Sequence, residues 1–200
     1  MFKYFLIACC LFTFCFCSCS PSPPVPKPRG YFKFDLPARH AYQQFDSATF
    51  PYSFEYPVYA RITQDTNLIK EDHAPYWINI YFPDLNATIY LSYKIISTDT
   101  PLQKLIADSY KMSYAHDIRA DYIKTPQFTT PNGLAGVFYN VGGNAASAYQ
   151  FFITDQTKNF VRGALYFDVT PNADSLKPAN EFLKVDMHHL LETFRFKTPK

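Results

Sequence analysis

Apolar and polar positions change their spacing several times along the chain, and each change marks a predicted element. Six runs rich in aromatic and β-branched residues predict strands, over residues 52–62, 76–82, 88–96, 134–142, 147–154 and 159–169. Such side chains suit a pleated, half-buried surface. The segments PDLN, TPNG and TDQTKN fall between these runs and carry residues that turns require. Two stretches shift to helical spacing. In residues 100–119, Leu102, Leu105, Ile106 and Tyr110 recur on one side, with Thr100 placed to cap and Pro101 in the first turn. In residues 176–196, Phe182, Leu183, Met187, Leu190, Leu191 and Phe194 share one side. Runs of strands interrupted by one helix and closed by another predict an α+β fold. It is a mainly antiparallel sheet of about six to seven strands with two packed helices.

Alternation along the strands sorts side chains onto two faces. Phe54, Tyr56, Val58, Ile78, Ile80, Phe82, Ile89, Leu91, Ile95, Val161, Leu165 and Phe167 form the expected core set. The opposite set mixes aromatic and polar groups: Glu55, Tyr59, Trp77, Asn79, Tyr81, Tyr90, Ser92, Lys94, Gln150, Arg162 and Tyr166. Aromatic side chains with polar handles offer large contact area. Glu55, Tyr59, Trp77, Asn79, Lys94, Arg162 and Tyr166 are therefore the candidate partner-binding face. The competing expectation is that the N-terminal segment covers this face, with Glu55 paired to Arg162 or Lys94.

The first thirty residues follow a different pattern. Lys3 precedes about a dozen apolar residues, which give way to the small and polar SCSPSP; all five cysteines, Cys9, Cys10, Cys15, Cys17 and Cys19, lie in this stretch. Five thiols crowded there cannot staple a domain or frame a structural zinc site. The pattern is that of a secretory signal peptide, too short for the roughly 20 apolar residues of a membrane span. A cysteine after a small residue at the polar boundary is where a bacterial lipoprotein signal is cut and lipidated. LIAC ending at Cys9 fits the letters better but leaves too short an apolar region. FCSC ending at Cys19 keeps the full run, although Phe16 stands where Leu is commoner. The expected organisation is a lipoprotein signal peptide over 1–18, lipidated Cys19 with a proline-rich tether over 19–30, and one α+β domain over 31–200. A plain signal peptide or an uncleaved anchor is the alternative. An extended polyproline tether, at about 3.1 Å per residue, would hold the domain roughly 30 Å from the bilayer; a disordered leader with no spacing role is the alternative.

Charge and motifs exclude more than they assign. The 19 basic side chains fall to 18 once Lys3 leaves with the signal, against 17 acidic ones. Without a basic patch, nucleic acid is not an expected partner. No nucleophile elbow, zinc-protease motif, phosphate loop or dinucleotide fingerprint occurs. Asp186, His188 and His189 in DMHH do not share a helix face, so chelation is not expected and exposed positions are. GGNAAS at 142–147 predicts a hairpin turn rather than an anion nest. No metal, cofactor or enzymatic activity is expected.

Longer stretches carry a resemblance. PKPRGYFKFDLP, FPYSFEYPVYARI, PYWINIYFPDLNATIYLSYK, QFFITD, RGALYF and PNADSLKPANEFLKVDMHHLLETFRFK closely resemble the GldD family of gliding-motility lipoproteins of Bacteroidetes. The resemblance implies an envelope lipoprotein needed for gliding and linked to the machinery associated with type IX secretion. It implies no catalytic residues, and only the lipidated cysteine transfers, onto Cys19. Partners implied are the membrane, through the lipid, and other gliding or secretion envelope proteins. The expected role is a non-enzymatic scaffold or assembly factor, with a periplasmic small-ligand or glycan-binding lipoprotein as the alternative. Bacteria of that phylum O-glycosylate Asp-Ser/Thr followed by an aliphatic or small residue, which makes Ser47 and Ser175 candidate sites. The residues after Cys19 lack an acidic surface-export cluster, so a periplasm-facing domain is expected. The order of strands and helices loosely resembles the Mog1/PsbP-like accessory domains.

Overall fold

Strand formation follows the two-residue alternation wherever one face meets the core. A computed structural model describes residues 35–38, 40–64 and 74–197. The chain divides between Tyr31 and Phe32, and all described residues belong to the second unit. The signal segment, Cys19, the proline tether and His73 lie outside the described residues.

Eleven strands and two α-helices are present among the described residues: β1 (Tyr42–Phe45), β2 (Tyr52–Pro57), β3 (Arg61–Thr63), β4 (Ile78–Phe82), β5 (Ala87–Ile95), α1 (Leu102–Tyr114), β6 (Ala120–Lys124), β7 (Gln127–Thr129), β8 (Ala135–Gly143), β9 (Tyr149–Thr154), β10 (Asn159–Phe167), α2 (Ala173–Thr193) and β11 (Arg195–Phe196). The large sheet has the order β3-β4-β5-β10-β9-β8-β6, with β7 also paired to β8; the small one is β1-β2-β11. Every pairing is antiparallel. The fold is α+β, as the sequence predicts, but with more strands and in two sheets.

One face of the large sheet carries Ile78, Ile80, Ile89, Leu91, Phe151, Ile153, Val161 and Leu165. These pack with Leu183, Met187, Leu190 and Leu191 of α2 and with Tyr52 and Phe54 of β2. The opposite face meets α1 along β8, β9 and β10, where Leu105, Tyr139, Phe152 and Phe160 form a second, smaller cluster. This explains why YQFFIT in β9 does not alternate. Helices cover both of its faces, so all six residues are buried. At the centre, Gly163 lies opposite Phe151, whose ring occupies the space a β-carbon would need.

Several expectations need correction. The single strand over 52–62 breaks after Pro57, where Ala60 N–H donates to the Pro57 carbonyl at 3.0 Å, and its halves enter different sheets. Val58, in that turn, and Ile95, at the end of β5, are half exposed rather than core. Tyr56 and Phe167 are only partly buried. On α1, Ile106 and Tyr110 face solvent, and the N-cap is Pro101 rather than Thr100. Helix α2 begins earlier than predicted, at a cap where Asn172 Oδ1 accepts from Ser175 N–H at 3.0 Å. The predicted turns occur as expected: Asn86 and Gly133 adopt positive φ in PDLN and TPNG, and 142–147 joins β8 to β9.

Candidate functional site

Because α1 packs over β8 to β10, no described element covers the outer face of β4 and β5. Alternation directs Asn79 and Tyr81 of β4, and Thr88, Tyr90, Ser92 and Lys94 of β5, onto this open surface. Tyr166 of β10 borders it, standing edge-on to Tyr90 at 5.9 Å between ring centroids, with the His116 ring 6.2 Å away on the other side. Tyr81, Asn86, Thr88, Tyr90, Tyr166, Phe167 and Asp168 line a cleft of about 570 Å³. At the opposite end, Lys94 Nζ sits 4.8 Å above the Trp77 ring, an arrangement that favours the cation on the ring face. The Trp77 indole N–H donates to the Tyr93 carbonyl at 3.0 Å, and the ring also packs on the core.

Arg162 marks the boundary between the open face and the part under α1. Its guanidinium donates to Gln150 Oε1, which also accepts from Ser113 Oγ of α1 at 3.1 Å. No carboxylate pairs with Arg162 among the described residues, and its Nε and the Gln150 Nε2 are buried without a hydrogen-bond partner there. Burial lowers the Arg162 pKa, opposed by Tyr166 and Tyr139, but an arginine stays charged at neutral pH. Burial, and then the Arg162 charge, also lower the pKa of His116. The result is an aromatic surface with one exposed and one recessed cation.

Trp77, Asn79, Lys94, Arg162 and Tyr166 thus share one face, as the sequence predicts. Glu55 and Tyr59 do not. They belong to the small-sheet region and face α2, so the pairing of Glu55 with Arg162 or Lys94 is also corrected. Glu55 Oε2 lies 2.6 Å from His189 Nε2. Tyr59 donates to Asp186 Oδ2 at 2.6 Å. Ser47, in the β1–β2 connection, shares a 3.0 Å hydrogen bond with Thr49, and Ser175 lies in the first turn of α2.

Asp186 is the residue that sequence reasoning placed wrongly. It is 1% exposed and accepts from Tyr59, from Tyr42 at 3.1 Å, and bonds His40 Nδ1 at 2.6 Å. The His40 ring stacks on Phe182 at 4.4 Å, and Tyr42 stacks on His189 at 3.5 Å. Burial first, and then Asp186, raise the pKa values of Tyr42 and Tyr59, so both hydroxyls stay protonated as donors. A signal was present: Asp186 falls on the stripe of Ala179, Leu183 and Leu190, where an apolar residue belongs. His188 and His189 diverge around the helix, His188 onto Phe138 and His189 onto Glu55. Among the described residues, no three His, Cys, Asp or Glu side chains gather as a metal site, and no helix is long and apolar enough to cross a membrane.

Comparison with known proteins adds the following. The family model described as gliding motility lipoprotein GldD matches residues 21–196. No curated protein matches the chain by sequence. The solution structure of cyanobacterial PsbP (CyanoP) from Synechocystis sp. PCC 6803 is similar over 79% of this chain and 94% of that one, with 12% identity and a TM-score of 0.47. A likeness at that level carries no inference about function.

Proposed function

The chain belongs to the gliding motility lipoprotein GldD family, and from that premise we propose that it is a non-enzymatic scaffold or assembly factor of the gliding and type IX secretion machinery. Family membership makes it an envelope-associated lipoprotein with a role in gliding motility. In the proposal, lipid on Cys19 holds the domain at the membrane, and the domain faces the periplasm. Ser47 and Ser175 remain its candidate glycosylation sites.

The open aromatic face carries the reading. Tyr90 is 47% exposed in the middle of a sheet, and its neighbours Tyr166 and Tyr81 continue the aromatic surface toward the cleft. Tyrosines so placed bury large area on a partner at small entropic cost, while Lys94 and Arg162 supply charge for orientation. The partner is therefore a protein surface with complementary carboxylates.

The test is affinity purification from detergent-solubilised membranes. Tyr90→Ala and Lys94→Ala should lose envelope proteins that the parent chain retains, with unchanged melting temperature. Trp77 and Arg162 are poorer probes, because each also holds structure beneath the face. Recovery of a lone monomer from every variant and from the parent would sink the scaffold reading. One observation favours a second reading: the cleft combines Tyr81, Tyr90 and Tyr166 with Asn86 and Asp168, a lining suited to a sugar ring. Saturable glycan binding lost in Tyr166→Ala, with co-purification intact, would favour this alternative.

A further inference from the structure

A second concavity lies on the opposite face of the large sheet, between α2 and the β6–β7 edge. Its volume is about 1050 Å³, at the upper end of the roughly 300–1,000 Å³ typical of small-molecule sites. The floor is Phe138, flanked by Phe128 and by Leu191 of α2. Phe128 reaches down because Gly136 has no side chain: a β-carbon there would lie 2.5 Å from the Phe128 ring.

The direction of α2 orders the charges along this groove. Asn132 of the β7–β8 connection donates to the Glu192 and Phe194 carbonyls, and Ala173 N–H donates to Asn144 at the far end of β8. Helix α2 therefore runs antiparallel to β8. Lys184, His188 and Glu192 recur every fourth residue along its groove side, so about 12 Å separates the first from the last. Lys124 lies opposite Asn140 in register, at the Lys184 end. Two cations thus converge at one end and Glu192, the lining carboxylate, stands at the other; Glu181 near the Lys184 end is engaged by the Tyr149 hydroxyl at 2.9 Å. Lys124 Nζ rests 5.1 Å from the Tyr122 ring and Lys184 Nζ 5.3 Å from the Tyr149 ring. Neither has a carboxylate partner among the described residues. His188 stacks on Phe138 at 4.7 Å between ring centroids.

We propose that this groove binds a single-chain anionic amphiphile of the fatty-carboxylate class, with its head at Lys124 and Lys184 and its chain over Phe138, Phe128 and Leu191. A polypeptide fits less well. The groove's floor is aromatic carbon, so a peptide lying across Phe138 and Phe128 would set its own N–H and C=O groups against a surface that offers them no hydrogen-bond partner. A hydrocarbon chain has no such groups. The site is on the other side of the sheet from the aromatic face and stands independently of the scaffold reading.

The probe is a diazirine-bearing palmitate, added to the full chain in phosphatidylcholine nanodiscs and mapped by mass spectrometry after photolysis. Saturable labelling is expected in the peptides containing Phe128, Phe138 or Leu191. Lys124→Glu combined with Lys184→Glu should weaken it about tenfold without changing the melting temperature, since both lysines reach solvent. Competition by palmitate but not by hexadecanol identifies a free fatty carboxylate as the source. Competition by phosphatidylglycerol vesicles alone overturns the single-chain assignment in favour of a two-chain membrane phospholipid. Labelling that does not saturate, is unchanged in the double variant, or yields equally to hexadecanol overturns the proposal. Displacement by an uncharged leucine-rich peptide at lower concentration than palmitate overturns it in favour of a polypeptide occupant.

Discussion

Asp186 shows how one side chain can decide the placement of several others. Its two oxygens take bonds from three residues that are far away in sequence, and almost no water reaches it. Asp186→Ala would leave part-buried donors of Tyr42 and Tyr59 and the His40 ring unpaired, at a cost of roughly 1 to 3 kcal/mol. Urea unfolding should show that loss, with a smaller one in Asp186→Asn, which keeps one acceptor. A second residue-scale prediction concerns space. At Gly163 an added β-carbon would sit 2.3 Å from the Phe151 ring, so Gly163→Ala should destabilise by about 1 to 3 kcal/mol through overpacking. Titration gives a third. His188 is depressed by burial and then by Lys184, with Glu192 opposing, and His116 by burial and then by Arg162. Each binds its proton more weakly folded than unfolded. Their stabilising contribution is complete above the ordinary histidine pKa near 6.5, and it is lost as pH falls through their lower folded values. Melting temperature should therefore drop on acidification below about pH 6.5, and His116→Gln with His188→Gln should flatten that slope.

At the scale of elements, the strands that build the core were visible because burial on one face forces alternation. INIYF in β4 shows this most plainly. The missed strands have no such requirement. YQQF, ADYIK and QFT form edges or short pairings whose outward residues are polar, so hydrogen bonding to a neighbour, rather than apolar patterning, makes them strands. The same reasoning explains the partial reading of the site. Strand alternation brought Trp77, Asn79, Lys94, Arg162 and Tyr166 together correctly. It could not reveal that the run holding Glu55 and Tyr59 leaves one sheet for another, because that requires knowing where the chain turns after Pro57. The groove around Phe138 was hidden for a further reason: its walls come from elements distant in sequence, and its charges are ordered only by the direction of α2. That helix depends on its start, so Asn172→Ala should cost about 1 kcal/mol by removing the cap, readable in the same unfolding experiment.

For the whole molecule, the two faces of the large sheet have different tasks in this account. Among the described residues, one is half covered by α1 and presents the tyrosines of the proposed docking face; the other packs against α2 and the small sheet beside the groove. In the proposed scaffold, the domain folds independently of its anchor. Cys19→Ser should accordingly move the protein to the soluble fraction while its isolated domain melts at the same temperature, as fractionation and calorimetry would show. Loss of the fold on detachment would contradict the division between anchor and domain.

The small sheet has a mechanical consequence. It takes β1 and β2 from the N-terminal side of the domain and β11 from its C-terminal end, so both ends of the domain are stitched into one three-stranded patch. A pull applied through the N-terminal segment would enter the domain just before β1, an edge strand that could be peeled from β2 one hydrogen bond at a time. His40 and Tyr42 stand at that point of entry, and both are tied to Asp186 on α2. The tension is thereby handed to a 21-residue helix bedded in the core, and the weak edge is bypassed. Were the chain held through the proposed Cys19 anchor, the buried carboxylate would act as the knot at the end of the rope.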